Sequence, residues 1–369
     1  MSGMLDTLKE WVNPNWGHHR TVPPMDAGLR LNTRLDDAKD LLGDRETHPD
    51  DVLRDAAGDL VFTVGSVVYS LAGGQVRRIV DAGSPITAIA ADGTRIVAAV
   101  SGRGIVSIAP SGGDAGGVVD DLCTDEILRD CVTALAAAGD GKLYAAVGSR
   151  KYGADEWARA LLTDDSTGAL VEVAGGHASV LDDGLAWPSG VAVMPSGAVL
   201  LSLSLAHQVE LREPHALAST GSMLAENLPL YPGRICVDGD DIWVVAPYVR
   251  NRMTELLLDE HEFVADMMAT VRPDDWFVPR LAVKNPLTDT MQMGQLRVEG
   301  EVKSWAPARS CGIVFRIDPD GRVVDSLHSR VDSPRHGMTG VTARDGVVVL
   351  AAQGYGNLVE IDANTDKTE

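Results

Sequence analysis

The chain has 369 residues, and its 53 acidic and 32 basic side chains give a formal net charge of −21. A chain this acidic repels phosphate backbones and anionic lipid headgroups, which argues against a nucleic-acid or membrane partner bound through a basic patch. The four cysteines form no C-x-x-C pair, no basic segment followed by an apolar run opens the sequence, and no apolar stretch approaches the ~18 residues of a membrane span. These features predict a cytoplasmic protein with free thiols.

Residues 1–45 lack a regular apolar pattern, whereas residues 46–369 repeat one short unit. Each unit has an apolar triplet, a turn that contains Gly or Asp, and a second apolar run, as expected of antiparallel strands. The six copies begin close to Val52, Ile86, Val132, Val191, Ile235 and Val341. One copy is too small to bury its own apolar faces, so neighbouring copies must stack. The pattern predicts an all-β, six-bladed β-propeller. A β-sandwich or several small β domains is the alternative, because the spacing is irregular.

The N-terminal segment, residues 1–45, is expected to help close the ring. A propeller leaves no long exposed strand edge when its last blade is completed by a strand from the other end of the chain. Residues 35–42 would supply this outer strand of the last blade.

Residues 249–310 interrupt the fifth copy of the unit. Within them, residues 252–270 carry apolar side chains at helical spacing with acidic residues such as Glu255 on the other side, which predicts one amphipathic helix. The helix would either pack its apolar stripe on the propeller or belong to a lid over a pocket. In the second case the pocket would be lined by Met267, Trp276 and Phe277.

Three segments carry a resemblance to a known family: residues 184–193 (GLAWPSGVAV), 226–235 (ENLPLYPGRI) and 311–321 (CGIVFRIDPDG). They resemble the strictosidine synthase-like group, which is related to the senescence-marker/gluconolactonase and paraoxonase families of six-bladed propellers. The resemblance covers about residues 46–362 and implies a pocket at the mouth of the central channel, where the innermost strands begin. It places there Asp50, Asp51, Thr87, Thr133, Ser189, Gly233, Arg234 and Thr339, with His336 nearby.

The resemblance also implies a divalent cation, usually calcium, held by oxygen ligands in the lactonase relatives. Asp50 or Asp51 would supply the first metal ligand. Where the relatives carry further Asn or Asp ligands, this chain has Ser189 and the pair Gly233 and Arg234. A guanidinium repels a cation, so Arg234 indicates that the metal site is lost or rearranged.

Candidate catalytic groups remain at the ring without a metal. Asp50, Asp51, Arg234 and His336 together offer a base, an orienting carboxylate and an oxyanion binder. His336 and His328 belong to a dense polar segment, residues 327–337, which is either part of the site or a solvated loop between blades. If the segment is part of the site, His328 would bind substrate.

Three functions follow from this set of residues. The first is hydrolysis of a small-molecule substrate, a lactone, ester or related cyclic carbonyl compound, at the channel mouth. The second is a non-catalytic binding or scaffold propeller whose site has decayed. The third is condensation or isomerisation in the same pocket. The strictosidine synthases use a glutamate where this chain has Thr339, so their own condensation is not supported.

Overall fold

Small antiparallel sheets repeat along the chain in the computed structural model, which describes residues 22–43, 47–109, 117–219, 221–282, 297–298, 301–302, 312–329 and 334–364. These residues form six four-stranded sheets arranged as a six-bladed β-propeller, which confirms the predicted all-β fold. The described N-terminal part contains two 3-10 helices, Ala27–Leu29 and Arg34–Asp37, and strand β1 (Lys39–Asp40).

The first three blades follow one another along the chain. Blade one contains β2 (Val52–Arg54), β3 (Leu60–Val64), β4 (Val67–Ala72) and β5 (Gln75–Asp81). Blade two contains β6 (Ile86–Asp92), β7 (Arg95–Val100), β8 (Gly104–Ala109) and β9 (Val118–Cys123), followed by a 3-10 helix, Glu126–Leu128. Blade three contains β10 (Val132–Gly139), β11 (Lys142–Val147), β12 (Gly168–Ala174) and β13 (His177–Leu185), with helix α1 (Trp157–Leu162) between its second and third strands.

The last three blades include the insertion and the chain ends. Blade four contains β14 (Pro188–Val193), β15 (Val199–Leu203), β16 (Gln208–Arg212) and β17 (Ser222–Ala225). A short pair, β18 (Leu230–Tyr231) and β21 (Tyr248–Val249), flanks β19 (Ile235–Asp238) and β20 (Asp241–Val245). Blade five combines β19 and β20 with β24 (Ile313–Ile317) and β25 (Val323–His328). Blade six combines β1 with β26 (Met338–Arg344), β27 (Val347–Ala352) and β28 (Asn357–Asp362).

Apolar side chains fill the space between neighbouring blades. The described residues contain one such cluster at each of the six blade interfaces. Small side chains such as Ala88 and Ala134 lie on the innermost strands, where adjacent blades contact each other most closely. Larger ones such as Leu170 and Leu350 are fully buried farther out. Each fully buried aliphatic side chain contributes roughly 1.5–3 kcal/mol, so blade stacking supplies most of the stability of the ring.

The chain ends meet in blade six. Strand β1 pairs antiparallel with β28 as the outermost strand of that blade. The fully buried Asn357 side chain holds the segment that follows, since its amide donates to the Leu42 carbonyl at 2.8 Å and its Oδ1 accepts from the Leu42 N–H at 2.9 Å. Asp40 adds an ion pair with Arg335 at 3.0 Å and accepts a hydrogen bond from the Tyr355 hydroxyl at 2.8 Å.

The insertion in blade five contains two helices where the sequence predicts one. Helix α2 (Arg252–Leu258) and helix α3 (His261–Thr270) are separated because the backbone leaves the helical conformation at Glu260, with φ −91° and ψ 69°. The prediction of a single amphipathic helix is therefore wrong. The predicted division into a buried apolar face and an exposed acidic face is also wrong in part. Met253, Leu256 and Phe263 are exposed, whereas Glu255 is buried.

The rest of the insertion is described only in part. A 3-10 helix, Pro273–Asp275, follows α3, and a short pair is formed by β22 (Arg297–Val298) and β23 (Glu301–Val302). Residues 283–296, 299–300 and 303–310 of the insertion lie outside the described residues, as do residues 1–21 and 44–45 of the N-terminal segment. None of the helices in the described part of the chain is long and apolar enough to cross a membrane.

The cysteines that the structure describes are free thiols. Cys123 and Cys131 are buried and Cys236 is half-buried. Burial raises the pKa of the Cys131 thiol to about 12 and that of Cys236 to about 11, which disfavours the reactive thiolate. Cys311 lies outside the described residues.

Candidate active site at the mouth of the channel

A cavity of about 480 Å³ lies where the innermost strands begin. Its lining includes most of the predicted ring positions, namely Asp50, Thr87, Thr133, Ser189, Gly233, Arg234 and Thr339. These residues are far apart in the sequence, and the circular order of the blades brings them to one point. The cavity is therefore formed by equivalent positions of different blades.

Arg234 lies at the centre of this ring, on the segment that leads into β19. Its Nη1 donates to the carbonyls of Asp50 and Thr339, both at 2.9 Å. Its Nη2 donates to the Asp50 carboxylate at 2.9 Å and to the Thr87 carbonyl at 2.6 Å, and its Nε donates to the Thr133 carbonyl at 3.1 Å. A guanidinium has five N–H donors, and each has an acceptor here. The oxyanion-binding role expected for Arg234 therefore has no free donor.

Asp51 is a buried partner of Arg234 and not a residue of the cavity lining. Its Oδ1 accepts from the Val52 N–H at 2.9 Å, and its Oδ2 accepts from the Ile89 N–H at 3.0 Å and lies 3.3 Å from Arg234 Nε. Burial raises the pKa of Asp51, and the guanidinium opposes that effect. Both oxygens have backbone donors, so Asp51 links blade one to blade two.

The guanidinium of Arg234 stays protonated although the side chain is largely buried. Burial disfavours the charged form, but the carboxylates of Asp50 and Asp51 outweigh burial and hold the pKa of Arg234 above its usual value. The point that the resemblance assigns to a divalent cation is thus taken by a guanidinium that already neutralises Asp50. Among the described residues, no three His, Cys, Asp or Glu side chains converge as metal ligands. With Arg234 in place, the residues at the ring do not fit a divalent cation.

Asp50 keeps one carboxylate oxygen available at the cavity. Arg234 fixes Oδ2, whereas Oδ1 accepts no hydrogen bond from the residues that the structure describes. The Asp50 side chain is 23% exposed. An oriented carboxylate with one free oxygen can accept a proton from a bound water, which is the task of a general base.

Tyr248 contributes a hydroxyl donor to the same cavity. Burial, and secondly the nearby Asp50 carboxylate, raise the pKa of this phenol above its usual value, so it stays protonated. No described residue forms a hydrogen bond with its hydroxyl. Sequence reasoning missed Tyr248, and the one signal available was its position directly before the break in periodicity at residue 249.

Aromatic side chains form much of the remaining wall. Trp157, from α1, stacks on Tyr248 with ring centroids 4.2 Å apart, and its Nε1 donates to Ser204 Oγ at 3.2 Å. Trp187 also lines the cavity, and its φ of +51° is a conformation that bulky residues rarely adopt. Asp155 is an exposed second carboxylate of the lining. The lining thus combines flat apolar surfaces with carboxylates.

The two histidines singled out from the sequence do not line this cavity. His336 is half-buried, its Nδ1 donates to the Leu281 carbonyl at 3.2 Å, and burial lowers its pKa. His328 is fully buried at the end of β25, with Nε2 2.9 Å from Ser326 Oγ, and burial lowers its pKa to about 4. The outer strand of blade five lies far from the innermost strands, so the substrate-binding role expected for His328 is not supported by its location.

The apolar residues expected in the lid lie behind the cavity wall. Met267, Trp276 and Phe277 are buried in one cluster with Trp157 and Trp187. None of the three lines the cavity. They pack against the aromatic residues that do, so the insertion supports the wall at this point.

The fold matches solved structures of six-bladed propellers. A protein proposed to be a gluconolactonase matches with a TM-score of 0.52 and 14% identity, over 89% of this chain and 92% of that one. A calcium-binding protein, regucalcin, from Agrobacterium tumefaciens matches with a TM-score of 0.53 and 13% identity, over 88% and 92% of the two chains. A luciferin-regenerating enzyme matches with a TM-score of 0.54 and 12% identity, over 88% and 93%.

These matches concern the architecture of the chain. The resemblance to gluconolactonase-type propellers is confirmed at the level of the fold. At 12–14% identity the likeness extends to architecture and not to substrate. No protein-family model and no curated protein sequence matches the chain.

Proposed function

We propose that the protein hydrolyses a small, neutral lactone, ester or related cyclic carbonyl compound in the channel-mouth cavity. The observation that carries the proposal is the pairing of two unengaged groups in one cavity. Asp50 offers a free carboxylate oxygen, and Tyr248 offers a protonated hydroxyl without a described partner. The similarity of the fold to a proposed gluconolactonase supports the choice of substrate class.

The reaction uses Asp50 as the base and Tyr248 as the electrophile. Water attacks the carbonyl carbon while the free oxygen of Asp50 takes the proton that the water loses. Negative charge develops on the carbonyl oxygen, and the Tyr248 hydroxyl donates a hydrogen bond to it. The carbon–oxygen bond of the ring or ester then breaks, and the leaving oxygen takes the proton back from Asp50. The products are a hydroxyl group and a carboxylic acid.

Charge in the cavity favours a neutral substrate over an anionic one. The lining has two carboxylates, Asp50 and Asp155, and one described cation, Arg234, so its net charge is negative even though Arg234 is paired with Asp50. Trp157, Trp187 and Tyr248 offer flat surfaces for an apolar ring. A carboxylate or phosphate on the substrate would therefore be repelled.

Substitution of each group tests the mechanism on a panel of neutral lactones and aryl esters. Asp50→Asn keeps an acceptor for Arg234 but removes the base, so kcat should fall by about 10²–10⁴-fold with a small change in KM. Tyr248→Phe should lower kcat by about 10²-fold. Asp130→Asn and Tyr152→Phe, which lie outside the cavity lining, serve as matched controls and should retain activity. Full activity of Asp50→Asn, or no turnover by the unmodified protein, would contradict the proposal.

A binding propeller is the second candidate function. The observation that favours it is the location of His336, the predicted catalytic histidine, and of His328, a predicted substrate-binding residue, outside the cavity. A binding protein would show saturable quenching of Trp157 and Trp187 fluorescence by neutral ring compounds, without turnover. Loss of binding in a bulkier Ser189→Phe variant would locate the ligand in the cavity.

A further inference from the structure

We propose that the guanidinium of Arg234 is the structural cation of this propeller and replaces a bound divalent ion at the centre of the ring. The Arg234 side chain is 14% exposed. Its donors reach oxygens of Asp50 in the segment before blade one, Thr87 in blade two, Thr133 in blade three and Thr339 in blade six. Arg234 itself leads into blade five, so one side chain joins five blades directly.

Blade four joins the same network through its neighbours. Ser202 Oγ donates to the carbonyl of Gly233, next to Arg234, at 2.6 Å. Thr133 Oγ1 donates to the carbonyl of Pro188 at the start of β14, also at 2.6 Å. A Cβ on Gly190 would lie 2.5 Å from the Gly233 carbonyl oxygen, so blade four approaches the arginine segment too closely for any other residue. All six blades are therefore tied to one centre.

The chemistry of the acceptors explains why a cation is needed there. Two carboxylates, those of Asp50 and Asp51, lie 2.9 Å and 3.3 Å from the guanidinium nitrogens. The backbone carbonyls of Asp50, Thr87, Thr133 and Thr339 direct their oxygens to the same point. Hard oxygens of this kind are the ligands that calcium takes in proteins. Because the arginine is covalently attached, its charge cannot be removed by a chelator.

Thermal unfolding of the purified full-length protein tests the proposal. The melting temperature of the unmodified protein should be the same in EDTA and in millimolar calcium, and elemental analysis should find no stoichiometric divalent metal. Arg234→Ala leaves the acceptors without a cation and should lower the melting temperature by about 5–10 °C. Millimolar methylguanidinium or calcium should restore part of this loss by occupying the vacated centre.

A buried arginine elsewhere provides the control. Among the residues that the structure describes, Arg250 has one carboxylate partner, Glu255, with Nε and Oε1 3.2 Å apart and both side chains fully buried. Arg250→Ala should also lower the melting temperature, but calcium should not restore it. If neither methylguanidinium nor calcium raises the melting temperature of Arg234→Ala, removal of the Arg234 side chain acts through packing alone and the proposal fails.

Arg234→Lys keeps the test decisive if the alanine variant does not fold. Lysine retains the charge but has three donors in place of five, so the lysine variant should fold and should melt at a temperature below that of the unmodified protein. Three results would overturn the proposal. They are stoichiometric metal in the unmodified protein, destabilisation of that protein by EDTA, and a lysine variant with the same melting temperature as the unmodified protein. The readout is stability, so the outcome is independent of whether lactones are hydrolysed.

Discussion

At the scale of single residues, His328 makes the native state sensitive to acid. Burial lowers its pKa in the folded protein to about 4, whereas the usual value is 6.5. Between these values the unfolded chain binds more protons than the folded one. The contribution of His328 to the free energy of unfolding is therefore fully present above pH 6.5 and is lost as the pH falls towards 4. His328→Phe should remove about 2 kcal/mol of the difference in unfolding free energy between pH 7 and pH 5.

Urea denaturation at the two pH values measures that difference. Asp325 carries the nearby charge that partly opposes the effect of burial, and it is itself paired with Arg34 at 2.9 Å. His177 is exposed on β13, so His177→Phe should leave the pH dependence unchanged. An equal pH dependence in the His328 variant and the unmodified protein would assign the acid sensitivity to other groups.

The candidate site was predictable from the sequence only in its ring positions. The resemblance places Asp50, Thr87 and Arg234 at the channel mouth, because each lies just before or at the start of an inner strand. The roles of these three residues could not be predicted from the sequence, because the role of a side chain depends on its spatial neighbours. Arg234 was expected to bind an oxyanion, but oxygens from distant blades engage all its donors. Tyr248 acquires its significance from Asp50, which lies in another blade.

At the scale of elements, a buried ion pair between Arg250 and Glu255 holds the helical insertion to the ring through hydrogen bonds with Leu228 and Tyr231. Glu255 in α2 pairs with Arg250 at 3.2 Å and accepts a hydrogen bond from the Tyr231 hydroxyl at 3.0 Å. Glu255→Ala would leave the Arg250 charge buried without its carboxylate and should lower the free energy of unfolding by about 3–5 kcal/mol. Glu262→Ala, on the exposed face of α3, should change it by less than about 0.5 kcal/mol.

Chemical denaturation compares the two glutamate variants. A loss below about 1 kcal/mol for Glu255→Ala would mean that Arg250 finds another partner, and the anchoring role of the pair would be wrong. Because the rings of Tyr231 and Trp157 form a T-shaped contact with centroids 5.0 Å apart, the same variant should also alter tryptophan fluorescence.

The strands were more predictable than the helices. Strand positions follow from local alternation and turn residues, which six copies reinforce. The insertion in blade five is not repeated elsewhere in the chain, and its apolar pattern continues through Glu260, so it does not indicate the break between the two helices. Helical spacing predicts that Glu255 faces solvent, but its side chain is buried because it pairs with the buried Arg250. Tertiary ion pairing overrode the amphipathic pattern.

At the scale of the whole molecule, ring closure depends on Asn357. Asn357→Ala would remove both hydrogen bonds to Leu42 and leave a buried N–H and carbonyl without partners. The free energy of unfolding should fall by about 2–4 kcal/mol. Limited proteolysis should also cut residues 22–43 faster, since β1 would be held less firmly. Asn364→Ala is an exposed control, and equal behaviour of the two variants would contradict this role.

The closure of blade six also sets the order of events during synthesis. Strand β1 is among the first described elements to leave the ribosome, but its partner β28 is among the last. Leu42 and Asn357 are 315 positions apart, which corresponds to about 15–60 s of translation. During that interval five blades can stack on one another while β1 stays unpaired, so the nascent chain carries an exposed strand edge until β28 emerges. Completion of the ring is thus a late event, and factors that shield strand edges would matter most just before it.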